Sequence, residues 1–385
     1  MRRLVVYLLK IIKMSSYIYQ HKNWTHFTCD KEKISLTLSN IRLKQGKLIG
    51  FISSLGFDLQ NLANLETITL DVLKSSEIEG EIFQPEMVRS SVAKRLGIEF
   101  SGMIDSDKRI DGVVDMLFDA TQNYKEPLTI HRLFSWHRSL FPIDETGYYK
   151  VSIGKFRTDS QGPMQVVSGG IGYEKVHFQA MDAQYIQAEM NEFLKWFITD
   201  DLSLDLLIKA AISHLWFLTI HPFEDGNGRI ARALTDMILA KSDGLPQRFY
   251  SMSSQIQKQR KAYYEILERT QKGTSEITPW IEWFLQCFEN ALDYALVTFD
   301  KIIYRHHFWI KNKNITLNNR QNQMLSKILD RFEGNLTTQK WAKICNCSTD
   351  TALRDIQDLI LKNILEKQEN LGRSTSYWLK PFENS

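Results

Sequence analysis

Cysteine is scarce in this chain: four residues in 385, namely Cys29, Cys287, Cys345 and Cys347. That usage excludes a disulfide framework and fits a reducing compartment, so a cytoplasmic location is expected. Cys345 and Cys347 are spaced C-x-C without a second cysteine pair, which points away from zinc. An excess of one charge is also lacking. A formal net charge of +3 singles out neither nucleic acid nor a lipid surface as partner. Long apolar runs are missing as well. The nearest, MRRLVVYLLKIIK at the N-terminus, is interrupted by Lys10 and Lys13 and is followed by no small-residue cleavage site. It is too short to span a bilayer, so no membrane partner is expected. Met14 follows it directly, and residues 1–13 read as an over-extended start or, in second place, a short amphipathic surface helix. The rest of the composition, 43% hydrophobic and 24% charged, is that of a globular protein long enough for two or three domains.

Against this ordinary background stands one unusual run: His221-Pro222-Phe223-Glu224-Asp225-Gly226-Asn227-Gly228-Arg229-Ile230-Ala231-Arg232. Apolar residues at helical spacing from Leu206 to Leu218 predict a buried helix leading into it. Asp225-Gly226-Asn227-Gly228 breaks the period and reads as a turn. Arg229 to Leu239 resumes an apolar helix, with Gly244 as its stop. A glycine-rich turn into a helix N-terminus is an anion site, because unpaired N–H groups and the helix dipole both favour phosphate. The glycines Gly226 and Gly228 let the backbone approach a ligand. Arg229 and Arg232, three apart, share one helix face and reach two phosphates. Asp225 is a hard oxygen ligand suited to Mg2+. His221 is a candidate general base. Each fragment alone has an ordinary structural explanation, a turn or a loop. Eight fixed positions together make a chance match in this length on the order of one in a hundred million.

The run matches His-x-Phe-x-(Asp/Glu)-Gly-Asn-Gly-Arg-x-x-Arg, and the chain on this basis resembles the Fic family. The resemblance implies a mainly α fold: a helical core with a small β-hairpin flap. It implies transfer of AMP from ATP to a protein hydroxyl, with ATP and Mg2+ required. It assigns His221 as base, Phe223 as core anchor and Asp225 as magnesium ligand. Gly226, Asn227 and Gly228 would cradle the phosphates, and Arg229 and Arg232 would bind the β- and γ-phosphates.

A second segment bears on regulation. Ile68, Val72, Ser75 and Glu79 fall at steps of four, three and four, forming one helical stripe that begins apolar and ends in a carboxylate. Gly80 stands where a helix C-cap would be. On local pattern Glu79 is a solvated helix end. The resemblance reverses this, because Ser75-Ser76-Glu77-Ile78-Glu79-Gly80 matches the inhibitory motif (Ser/Thr)-x-x-x-Glu-(Gly/Asn) of autoinhibited Fic proteins. It implies that Ser75, Glu79 and Gly80 are inhibitory, with Glu79 pairing to Arg232 and occupying the γ-phosphate site.

The remaining sequence divides around these motifs. Residues 14–100 are expected to form an N-terminal helical domain and residues 101–300 the catalytic core. His137 and His214 fall on apolar helix faces and read as core histidines. Gly154–Arg157 and Met164–Gly170 are β-rich and glycine-bounded and are expected to make the hairpin, with His177–Ala180 beyond its end. The resemblance gives the hairpin a target-pinning role and assigns Val167, Ser168 and Gly169 to the nucleotide site. It likewise offers Tyr263 as an adenine contact and Gln271 as a polar one, with simple helix packing as the alternative. Residues 315–385 resemble a winged helix-turn-helix, with strands flanking Gly372–Thr375. DNA binding through residues 316–385 is conceivable, but ten Lys and Arg against eight Asp and Glu give it little charge. Docking to a protein, or homodimer formation, fits that unit at least as well. The expected function is an autoinhibited protein adenylyltransferase acting on a Ser, Thr or Tyr of an unidentified target protein or of the chain itself. The alternatives are removal of AMP or transfer of another phosphate group on the same core, or a DNA-binding regulator.

Overall fold

The computed structural model describes residues 17–99, 102–142, 151–160, 162–168, 173, 175–332, 334–368 and 375–380. Residues 1–13, Gly169 and residues 372–374 of the expected wing turn lie outside them. The fold is mainly α, and the sheets among the described residues are two antiparallel two-stranded hairpins. The chain forms two compact units, divided between Leu296 and Val297. The stretch expected as a separate N-terminal domain shares the first unit with the catalytic-core stretch.

The first unit is built around one helix with no polar face. Every residue from Leu207 to Ile220 of α7 (Leu206–Ile220) is buried, as a helix apolar all round must be. Its start is fixed by Asp205, whose carboxylate accepts the Leu207 N–H at 2.7 Å and is gripped by Arg42 at 2.7 and 3.1 Å. That grip ties α1 (Lys31–Ser53) to the centre. The buried Lys209 donates to the Thr199 carbonyl at 2.7 Å, which gives its ammonium an acceptor inside the protein. α8 (Asn227–Asp243) returns along α7. Around this pair stand α2 (Phe57–Ile78), α3 (Pro85–Leu96), α4 (Lys108–Gln122), α5 (Ile130–Leu140), α6 (Ala183–Ile198), α9 (Met252–Lys258), α10 (Arg260–Gln271) and residues 278–296 of α11 (Thr278–Lys311), a helix that crosses the division between the units.

The α2 helix is part of this core. It packs on α3, α8 and α9 and is held by polar contacts as well as apolar ones. Asn64 Oδ1 accepts the Arg248 N–H at 2.9 Å, Asp71 accepts from the Ser251 hydroxyl and the Ser253 N–H, and Gln257 donates to Glu77 at 2.7 Å. Arg248 itself bridges Asp236 at 2.9 Å and Asp243 at 3.3 Å.

The hairpin forms, with different arms from those expected. β1 (Gln165–Ser168) pairs with β2 (Lys175–Gln179), with a register shift between Val166 and Val167. His177, Phe178 and Gln179 are thus a strand, not the segment beyond it. Gly154–Arg157 takes no part, because Arg157 is engaged elsewhere. Its N–H donates to Pro222 O at 2.9 Å, and its guanidinium donates to His221 O at 2.8 Å and to Met181 O.

The second unit contains α12 (Asn319–Arg331), α13 (Thr338–Ile344), α14 (Thr349–Leu361) and a hairpin of β3 (Leu365–Lys367) with β4 (Tyr377–Leu379). Its core is Phe308, Met324, Leu325, Trp341, Ile356, Leu359 and Tyr377 with their neighbours. Its order along the chain is three helices followed by a two-stranded hairpin.

Arg248 supplies the first stability test. It is 3% exposed and faces Asp236 and Asp243. Burial and the neighbouring Asp71 already push the Asp236 carboxyl well above the usual range. Removing the cation leaves these acids buried without it, so Arg248→Met should cost about 3–5 kcal/mol in urea-unfolding free energy. A loss below about 1 kcal/mol would show that the cluster is indifferent to its cation.

Candidate active site

The turn between α7 and α8 is bracketed by two left-handed residues, His221 (φ 52) and Gly226 (φ 79). For a non-glycine residue such as His221 this conformation costs about 1–2 kcal/mol. It is held by its surroundings, with Arg157 clamping the carbonyls of His221 and Pro222. Gly226 is required twice over: its φ is positive, and a Cβ there would lie 3.1 Å from the Phe141 ring. Phe223 is the anchor, fully buried, with its ring 4.3 Å from His137 and 5.7 Å from Phe156. Asn227 locks the turn from inside: its Oδ1 accepts the Phe223 N–H at 3.0 Å, and its Nδ2 donates to Phe223 O at 2.8 Å. The Asn227 side chain is thereby spent on the loop, and its expected place in a phosphate cradle falls to its backbone N–H.

His221 Nδ1 lies 3.3 Å from the Leu218 carbonyl. That contact assigns the proton to Nδ1 and leaves the lone pair on Nε2. Burial pushes the imidazole down to about 4, only partly offset by the Leu218 carbonyl. It is therefore neutral at pH 7 and able to accept a proton.

The first turn of α8 has no side-chain cap, since Gly226 has no side chain to offer. Uncapped N–H groups at a helix start are a ready anion site. Two arginines flank it and both are sunk into the protein, with side chains 6% (Arg229) and 3% (Arg232) exposed. Each already holds a carboxylate. Arg232 donates through Nη2 to Glu79 at 2.7 Å, through Nε to Ser75 Oγ at 2.9 Å and through Nη2 to Ser75 O at 2.9 Å. Arg229 donates through Nη1 to Glu81 at 2.9 Å. Arg232 Nη1 and Arg229 Nε are buried without a hydrogen-bond partner.

Both carboxylates come from the end of α2, and the helix cap explains how. Gly80 turns left-handed (φ 87), its N–H bonds Glu77 O at 3.1 Å, and the Glu81 N–H bonds Ser76 O at 3.0 Å. This is the Schellman arrangement. It reverses the chain and sends Glu79 and Glu81 toward the same helix. Gly228 makes room for the first of them: a Cβ there would stand 2.2 Å from Glu79 Oε1.

Asp225 is the exposed carboxylate of the loop, its side chain 60% exposed and 4.0 Å from Arg229 Nη2. Its neighbour Glu224 accepts the Ser152 N–H at 2.8 Å. No group of three His, Cys, Asp or Glu able to hold a metal occurs among the described residues. One open carboxylate beside an uncapped helix start has the chemistry of a Mg2+ ligand, since that ion commonly takes one or two protein carboxylates with other oxygens and water completing its shell.

The other residues assigned from sequence lie elsewhere. Val167 and Ser168 are exposed on β1, where Ser168 Oγ pairs with His177 Nε2 at 2.6 Å. Tyr263 and Gln271 are built into the core: Tyr263 OH meets His214 at 2.9 Å, and Gln271 Nε2 donates to Leu218 O at 3.2 Å. Their polar atoms thus point inward, away from a ligand surface, and Gln271 braces the turn that carries His221. His137 and His214 are core residues, 0% and 1% exposed. Sequence reading missed Glu81 and Arg157. Glu81 carried one signal: two carboxylates flank Gly80, and two arginines await them.

Comparison with known proteins places this geometry. Residues 127–239 match the Fic/DOC family, and residues 17–98 match a domain of unknown function, DUF4172. Curated proteins named protein adenylyltransferase Fic, from Nematostella vectensis and Aedes aegypti, are each 26% identical, over 234 and 242 residues. The alignments cover 59% and 61% of this chain and 48% and 43% of those proteins, so the chain spans about half the length of the relatives it matches. A solved structure of a Fic family protein from Desulfovibrio desulfuricans aligns with a TM-score of 0.49 and 19% identity, covering 91% of this chain and 97% of that one.

The anchor of the loop can be tested by stability. Phe223→Ala removes a fully buried ring and should cost about 3–5 kcal/mol in chemical unfolding. A cost below about 1 kcal/mol would mean that the turn is not anchored through this ring.

Proposed function

We propose that this chain, which carries a Fic/DOC-family domain over residues 127–239, is an autoinhibited protein adenylyltransferase. The observation that carries the reading is the uncapped α8 N-terminus flanked by two buried arginines, one of them held by Glu79. In this reading the α8 amides, Arg229 and Arg232 hold the phosphates of ATP. His221 Nε2 takes the proton of a Ser, Thr or Tyr hydroxyl on a target protein. The hydroxyl oxygen forms its bond to the α-phosphorus as the bond to the β-phosphate oxygen breaks, and pyrophosphate leaves. The work of the site is positioning and charge stabilisation. Asp225 would hold Mg2+, which would offset phosphate charge. Gly226 and Gly228 keep the backbone close to the phosphates.

Glu79 restrains this reaction by competition. Arg232 has one side edge, Nε with Nη2, and Ser75 and Glu79 fill it. A γ-phosphate must displace Glu79 to use that edge, so ATP settles out of line or fails to settle. Gly80 belongs to the same device, because its left-handed turn sets the end of α2.

The hairpin is read as the target-docking strand pair. The second unit is read as a winged helix that serves protein docking or dimerisation. Its α14 exposes Asp350 beside Arg354, while Asp355 is held by Arg320 at 2.7 Å and Asp358 by Lys362 at 2.5 Å. A duplex reader would present more cation there. No helix among the described residues is long and apolar enough to cross a membrane. The four cysteines are unpaired, in keeping with a reducing, cytoplasmic setting.

Incubation with labelled ATP tests the activity and its restraint together. The Glu79→Gly protein should incorporate label from the α-phosphate about tenfold or more above the parent chain and none from the γ-phosphate, since freeing a buried Arg for phosphate is worth at least one charged hydrogen bond. Adding His221→Ala should abolish incorporation while leaving the fold intact by circular dichroism. Equal labelling of parent and Glu79→Gly would remove the restraint from the account, and label retained without His221 would remove the base.

The protonation state of the base has its own test. Burial lowers the His221 pKa, so the imidazole stays neutral as pH falls from 7 through the ordinary value of 6.5 and protonates only near 4. NMR titration of histidine-labelled protein, with the His221 signal assigned by its loss in His221→Ala, should show no titration between pH 8 and about 5.5. A midpoint near 6.5 would overturn the neutral base.

A further inference from the structure

We infer that Glu81 is a positioning residue for Arg229, with a role opposite in sign to that of Glu79, and this rests on the nucleotide reading above. The two carboxylates leave the same helix end and meet two arginines of the same helix, but they take different parts of the guanidinium. A guanidinium has a side edge, Nε with Nη2, that grips two oxygens of one phosphate, and a separate donor at Nη1. On Arg232 the side edge is full: Ser75 Oγ on Nε, and Glu79 and Ser75 O on Nη2. On Arg229 it is open. Glu81 takes Nη1 at 2.9 Å, Nε is buried without a hydrogen-bond partner, and Nη2 stands 4.0 Å from Asp225. A buried N–H kept waiting in a site is a place for a ligand atom.

The rest of the environment fixes the plane of that open edge. The Phe141 ring lies 5.2 Å from the guanidinium carbon of Arg229, so ring and carboxylate hold the group from its face and its end. Glu81 is itself held, its N–H on Ser76 O, and Arg109 Nη1 stands 3.9 Å from its second oxygen. Without Glu81 the nearest anion for Arg229 is Asp225, four residues earlier and on the open-edge side. Closure of that pair would seal the phosphate edge and engage the proposed metal ligand. Glu81 thus keeps Arg229 turned toward phosphate and away from Asp225. One hook, Glu79-Gly80-Glu81, blocks one arginine and aims the other.

The decisive measurements use the full chain in the Glu79→Gly background, where the block is gone. ATP affinity by calorimetry and AMP transfer are compared for Glu79→Gly alone, with Glu81→Gln, with Glu81→Ala, and for each of these with Arg229→Ala. Glu81→Ala should weaken ATP binding about tenfold, Glu81→Gln only about threefold or less because its amide oxygen still accepts from Nη1, and with Arg229→Ala present neither change should matter further. Tighter ATP binding or faster transfer on Glu81→Ala would make Glu81 a second block and overturn the proposal. So would an equal penalty with and without Arg229, which is what a purely structural residue gives, or ATP binding that ignores Glu81. Failure of the Glu79→Gly protein to bind ATP at all would be a different result. It would overturn the nucleotide reading, and this role with it.

Discussion

A guanidinium at the centre of a helical core cannot stand without anions. Arg232 is 3% exposed, inside a unit whose central helix is buried on every side. A buried cation without compensation is among the costliest features a fold can carry. Its needs are met by Ser75 and Glu79, both from α2. The requirement therefore runs in two directions. Arg232 gains its partners only if α2 is docked against α8, and α2 is docked through contacts of its own, by Asn64, Asp71 and Glu77. One donor, Nη1, is left over. The site is thus satisfied enough to fold and unsatisfied enough to bind.

The geometry that allows this is set by glycines more than by charges. Gly80 permits the left-handed cap that sends two carboxylates back toward α8. Gly228 leaves the space into which Glu79 fits. A glycine usually assigned to phosphate approach has here a second task, since the protein's own carboxylate stands where a side chain would collide. A site shaped to admit a phosphate also admits its mimic, because both need the same bare backbone.

Much of this was legible in the sequence, for a physical reason. The loop concentrates residue types that a structural turn does not need together, and Ile68, Val72, Ser75 and Glu79 keep helical phase up to the cap. Periodicity ends at Gly80, so it could say nothing of Glu81, which lies past the last turn. The strand partner of Met164–Ser168 was misread because Gly154–Arg157 looks β-like, while Arg157 has a claim on the His221 and Pro222 carbonyls that no local pattern reveals. Tyr263 and Gln271 show the opposite limit. An aromatic and an amide two turns apart look the same whether they face a ligand or, as here, His214 and the Leu218 carbonyl. Spacing gives the face of a helix and not what lies opposite.

The two halves of the proposed chemistry are restrained differently. His221 is held in a strained left-handed conformation, with its proton on the side of Leu218 and its charge suppressed by burial. Glu79 enters only as a lesser charge that pulls the imidazole pKa upward against the dominant effect of burial, so the base is neutral in the restrained state. In the proposed reading Glu79 occupies the phosphate end, where binding energy would be used to place the α-phosphate for attack. Regulation at that end has a physical advantage. Altering a base would require rebuilding a buried turn, whereas displacing one carboxylate from a guanidinium exchanges one anion for another and leaves the core charge compensated throughout. On the proposed reading the fold keeps the His221 turn rigid and places the switch in a contact whose two states would differ only in which anion answers Arg232.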